Sequence, residues 1–172
     1  MGPNDFDASF GSLIELLLRR TLVHSVILFG YYMKLLNFSV GDDFISVVKD
    51  DICYDLHNNF DLAGYSYNVV NKEFKLVFKR GNGDWIQNKD IDSLIFKFIG
   101  VSFLKIKEGD STEYPDDESC LANIGFNTKD MRNDMDSFLA SNEFQDDYDL
   151  IFMFVSGQTI KIHCKEILLE TN

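Results

Sequence analysis

The sequence predicts an α+β fold: one antiparallel sheet of five to seven strands with helices packed on it. Three observations lead there. From Tyr65 onward the apolar residues recur with period two, as in strands. Elsewhere they recur at spacings of three and four, as on one face of a helix. The run Leu150-Ile-Phe-Met-Phe-Val155 is apolar at every position, so it reads as a central strand covered on both faces. A chain of 172 residues with 45% hydrophobic and 14% aromatic side chains has ample material for a core.

Met1 to Ala8 is polar. Ser9 or Ser12 would cap a helix carrying Leu13, Ile14, Leu16, Leu17, Leu18, Leu22, Val23, Val26 and Ile27, with an end near Gly30. Arg19, Arg20 and His24 interrupt that apolar run, which argues against a membrane span, and Asp5 and Asp7 argue against a signal peptide. Met33-Lys-Leu-Leu-Asn-Phe38 resembles the start of a cytoplasmic protein, so residues 1–32 form an expected N-terminal helical extension before an α+β domain at 33–172.

Ser39 to Asn59 reads as helical or irregular: Phe44, Val47, Val48, Ile52 and Leu56 have helical spacing, with Asp42 and Asp43 at the end where a helix dipole favours anions. On that helix Cys53 and His57, four apart, would share a face. Tyr65, Tyr67 and Val69 form one expected strand and Phe74, Leu76 and Phe78 the next, around a tight turn at Asn71-Lys72. Gly81-Asn-Gly-Asp84 is a further turn, without the lysine and hydroxyl of a phosphate-binding loop. Ser93 to Lys107 reads as two strands, or one strongly bent strand, around Gly100. Leu121 to Phe126 is a short strand, and Thr128 would cap a helix from Lys129 to Ala140. The closing hairpin turns at Ser156-Gly157. Ile160, Ile162 and Cys164 face inward in its second arm, with Lys161 and His163 toward solvent.

Charge is distributed unevenly. The chain carries −12, and Glu108 to Asp149 holds thirteen acids against only Lys129 and Arg132. Such a balance disfavours nucleic acid, whose phosphates need Lys and Arg, and favours encounter with a basic partner. Three cysteines, with no paired spacing, indicate neither a disulfide framework nor a metal site and suit a cytoplasmic location. No catalytic motif and no cofactor-binding motif is present, so an enzyme is not expected. The adjacent carboxylates look solvated, whereas general acid work needs one in an apolar site.

The run Tyr65-Ser-Tyr-Asn-Val-Val-Asn-Lys-Glu-Phe-Lys-Leu-Val-Phe78, the run Leu94 to Ile106 and the hairpin at Ser156-Gly157 resemble the small α+β immunity proteins of bacterial polymorphic and contact-dependent toxin systems. The resemblance implies an inhibitor of one cognate basic toxin domain, often a nuclease. Asp116, Asp117, Glu118, Asp130, Asp134, Asp146 and Asp147 are the candidate contacts, with Tyr114 and Tyr148 as aromatic anchors. Two alternatives stay open: a ligand-binding or enzymatic domain with a pocket near Cys53, His57 and Tyr65, and membrane association through residues 13–32.

Overall fold

The chain divides between Tyr31 and Tyr32 into two units. The computed structural model describes residues 32–172 apart from 88, 111–114, 140 and 142, with only the main chain described at 115 and 116. The extension expected over residues 1–32 therefore lies, but for Tyr32, outside the described residues.

The described chain is almost wholly β, which corrects the α+β expectation. Twelve strands run in order: β1 Lys34–Leu35, β2 Ser39–Val40, β3 Ser46–Lys49, β4 Ile52–Asp55, β5 Phe60–Asn68, β6 Glu73–Arg80, β7 Ser93–Ile99, β8 Phe103–Lys107, β9 Leu121–Asn127, β10 Asp149–Phe154, β11 Thr159–His163 and β12 Glu166–Thr171. The helical pieces among the described residues are two 3-10 turns, Pro115–Glu118 and Lys129–Asn133. Instead of one sheet there are three, ordered β1-β12-β7-β6-β5, β8-β11-β10-β9 and β2-β3-β4. All pairings are antiparallel except β1 with β12.

The predicted helix over 39–59 is the small third sheet. Asp50 and Asp51 both have positive φ, 52° and 62°, and close a two-residue turn with Lys49 opposite Ile52. That backbone fits a mirror-image hairpin turn and no helix. Val47 faces Tyr54 across the pair, and both are buried. Asp43 accepts hydrogen bonds from the amides of Ile45 and Ser46 and from the Ser46 hydroxyl, so it organises a turn where a helix start was expected.

The predicted helix over 129–140 stops after one 3-10 turn. The Thr128 side chain makes no cap bond. Asp134 accepts from the Asp136 amide and the Ser137 hydroxyl, a local bonding pattern that competes with helix. The Lys161 ammonium donates to the Met131 and Asp134 carbonyls, the first of which also accepts from the Asp134 amide that closes the 3-10 turn.

Lys161 and His163 are buried, at 0% and 2% exposure, which corrects their expected solvent-facing position. The 129–139 segment lies over this face of the β8-β11-β10-β9 sheet: Phe138 packs where a Gly125 Cβ would stand, and Leu139 bridges to Phe126. β10 is central and buried as expected, but irregular chain covers its second face, so covered faces did not require helices.

The other face of that sheet meets the five-stranded sheet in one core. Phe152 of β10 lies 5.3 Å from Phe96, 6.2 Å from Phe98 and 6.3 Å from Phe78, ring centre to ring centre. Two crossings join the sheets at one corner. β7 passes to β8 through Gly100, and β11 passes to β12 through Cys164-Lys165. Gly100 has φ +69° and a Cβ there would stand 2.9 Å from the Lys165 side chain, so both backbone and space call for glycine. The β5–β6 connection is longer than the expected turn. β5 ends at Asn68, whose side chain accepts from the Val70 and Asn71 amides, and Lys72 rather than Asn71 carries the positive φ.

Candidate functional site

The acidic segment does not gather on one surface. Asp146 and Asp147 lie just before the first residue of β10, whereas the Asp117 carbonyl accepts from the Ser156 amide just past its last. A six-residue strand separates the two groups, about 20 Å of extended chain.

At the hairpin end, β5 and β9 bring further carboxylates to Asp117. The Leu62 amide donates to the Ser119 carbonyl, and the Ser119 hydroxyl donates to Asp61 at 3.4 Å. A concavity of about 480 Å³ opens there, lined by Leu62, Gly109, Asp110, Glu118, Ser119, Ser156 and Gln158. A second, of about 600 Å³, takes in Phe60 and Asp61, just before Leu62, and is rimmed by His57, Asp84 and Trp85. Trp85 is 75% exposed. The Cys120 thiol is held above its ordinary pKa, first by burial and then by Asp61, Asp117 and Asp55 around it. Asp55, Asp61 and Asp110 were not among the sequence candidates, because contacts remote in sequence bring them to this end, Asp61 through Ser119 and Asp110 through its amide to the Ser156 carbonyl. Trp85, the single tryptophan of the chain beside a Gly-rich turn, was the one available signal.

Seven further acids of the segment lie between residues 129 and 149. Asp130, Asp146 and Asp147 are exposed. Asp134, also exposed, is held below its ordinary pKa, chiefly by the Ser137 hydroxyl and then by the Asp136 amide. Asp136 is paired with Lys107. Asp149 is fully buried and takes Arg132 in a two-pronged bond at 2.7 and 2.8 Å, with the guanidinium 4.2 Å from the centre of the Phe103 ring. Among the described residues, Asp136 and Asp149 thus answer bases of this same chain. Of the aromatic candidates, Tyr148 is half-buried and packed against the core, and Tyr114 lies outside the described residues. The Asp116 side chain is likewise not described.

Cys53 and His57 do not share a helix face. Cys53 is exposed on β4 and lines a separate hollow with Ser46 and Val48. His57 turns to the Leu121 carbonyl at 2.6 Å and lies 3.5 Å from the Cys120 sulfur. Because burial and neighbouring carboxylates both disfavour the Cys120 thiolate, this pair is no activated nucleophile. Burial pushes the Cys164 thiol up to about 12. Among the described residues no cluster of His, Cys, Asp and Glu has metal-binding geometry, and no helix is long and apolar enough to cross a membrane.

The chain matches no protein-family model, and no curated protein is significantly similar to it. Geometry and charge alone therefore carry the functional reading.

Proposed function

We propose that the chain is a protein inhibitor, of the immunity-protein kind, that neutralises a cognate basic toxin domain through an acidic concave surface. The observation that carries this is the convergence of Asp55, Asp61 and Asp117 around the Cys120 thiol, with Asp110 and Glu118 lining the hollow alongside. A basic nuclease groove is shaped for phosphate, and clustered carboxylates meet it with complementary potential and speed encounter. Trp85 on the adjoining rim has the exposure and size of an interface anchor. The reading rests on this charge arrangement and needs no helical layer.

The test is co-expression with a basic toxin domain encoded beside this chain's gene. A one-to-one complex lacking toxin activity is the expected result. Replacing Asp61, Asp117 and Glu118 together by Lys should slow association several-fold at low salt and much less at high salt, because screening shortens the reach of the field. A complex that forms at the same rate in the triple variant would remove the hairpin-end surface as the site. Failure to form any complex would remove the inhibitor reading.

A further inference from the structure

The free edge of the five-stranded sheet is built unlike the rest of the molecule. β5 is its last strand. The Leu62 amide is taken by Ser119, but beyond Gly64 no described segment pairs with the outer side of β5. From Leu62 to Asn71 ten consecutive residues carry no charge, in a chain whose total is −12. Open edges in monomeric proteins are ordinarily blunted by lysine, proline or a bulge. The bulge of β5 lies between Leu62 and Gly64, before the free portion, and Gly64 to Asn68 contains neither lysine nor proline.

The side chains along this edge are unfinished core. Phe98 and Phe74 are buried and 5.6 Å apart, and the ladder continues from Phe74 to Tyr65 at 5.7 Å and Tyr67 at 6.4 Å. There it stops, with Tyr65 47% and Tyr67 41% exposed. Val69 and Val70 in the following turn are 71% and 92% exposed.

We propose that β5 is the contact through which two copies of this chain pair, antiparallel across a two-fold axis close to Ser66, so that two five-stranded sheets become one. A two-fold contact must be complementary to itself, and this edge is. About Ser66, Tyr65 of one copy faces Tyr67 of the other on the same side of the sheet, which closes the aromatic ladder in both directions. Antiparallel pairing also sets the Lys72 end of each copy beside the Asp61 end of the other, so the charges bounding the neutral run are matched twice. A foreign strand would leave that match unused. The uncharged run is where two molecules of charge −12 approach with least repulsion.

Sedimentation velocity of the full chain over a range of concentrations tests this. A reversible dimer is expected. Ser66→Lys should weaken it at least about ten-fold, because it places a like charge opposite its own copy, and Tyr67→Lys should do the same by removing the ring that faces Tyr65 of the other copy. Ser66 is exposed, so its variant should keep the parent's circular dichroism and melting temperature. A chain that is monomeric at every concentration overturns the proposal, including one that adds only a strand from another protein. A dimer indifferent to both variants overturns it equally.

Discussion

His163 is where alternation along a strand misleads at the residue scale. Lys161 and His163 alternate with Ile160, Ile162 and Cys164, a pattern that predicts one wet face. The periodicity was legible and the strand is there, but periodicity reports which side chains share a face and not whether that face is covered. Here the 129–139 segment covers it, and each polar side chain keeps at least one partner, while the His163 Nε2 stays without a hydrogen bond. The Lys161 ammonium donates to two carbonyls, and His163 lies against the Ser102 hydroxyl at 2.9 Å. Burial holds the His163 imidazole below its ordinary pKa. Asp149 and the Asp146 backbone oppose that shift, and Lys129 and Arg132 reinforce it. The folded chain therefore takes this proton less readily than the unfolded chain, whose imidazole titrates near 6.5. His163 supports full stability above that value and loses it as pH falls toward the lowered native pKa. Urea midpoints should drop between about pH 7 and about pH 5.5 in the parent, with a smaller drop in His163→Gln. An equal drop in both would assign the dependence to other groups.

At the level of elements, those with a period of two or a punctuating glycine were legible. β7 and β8 divide around Gly100 as expected, β9 was foreseen, and β10 and β11 turn around Ser156-Gly157. The 39–59 segment was not, because a two-residue turn between two short strands brings Val47, Val48, Ile52 and Leu56 into helical spacing by coincidence. The deciding feature is Asp50-Asp51, whose mirror-image turn favours Asn-Gly over two aspartates. Replacing the pair by Asn-Gly should stabilise the domain by about 0.5–1 kcal/mol, from relief of positive-φ strain. Loss of the exposed Lys49–Asp50 ion pair subtracts little from that. Denaturant midpoints measure it directly, and a destabilised variant would mean that the turn adopts another form. The 129–140 segment failed for a different reason. Its helix was lost both to the local bonds that Asp134 accepts from Asp136 and Ser137 and to a tertiary competitor, the Lys161 ammonium, which no local pattern announces.

For the whole molecule, the candidate site was legible as charge and illegible as place. The excess of carboxylates over Glu108 to Asp149 is plain in the chain, but its division between the two ends of β10 depends on the β9–β10 pairing. The two larger sheets meet through side chains in one core, which makes them one cooperative unit, and Phe152 is where that can be measured. Its ring meets three phenylalanines of β6 and β7 across the interface, so it belongs energetically to both sheets. Phe152→Ala should cost about 3–5 kcal/mol, the range for an aromatic removed from a core that cannot collapse. If the sheets share one core, amide exchange should accelerate together in β6, β7, β10 and β11, since opening of any one exposes the others. Acceleration confined to β10 and β11 would mean that the five-stranded sheet holds itself together without its partner. The β5 edge would then extend a sheet that stands alone, and pairing of two copies would persist after the other sheet had opened.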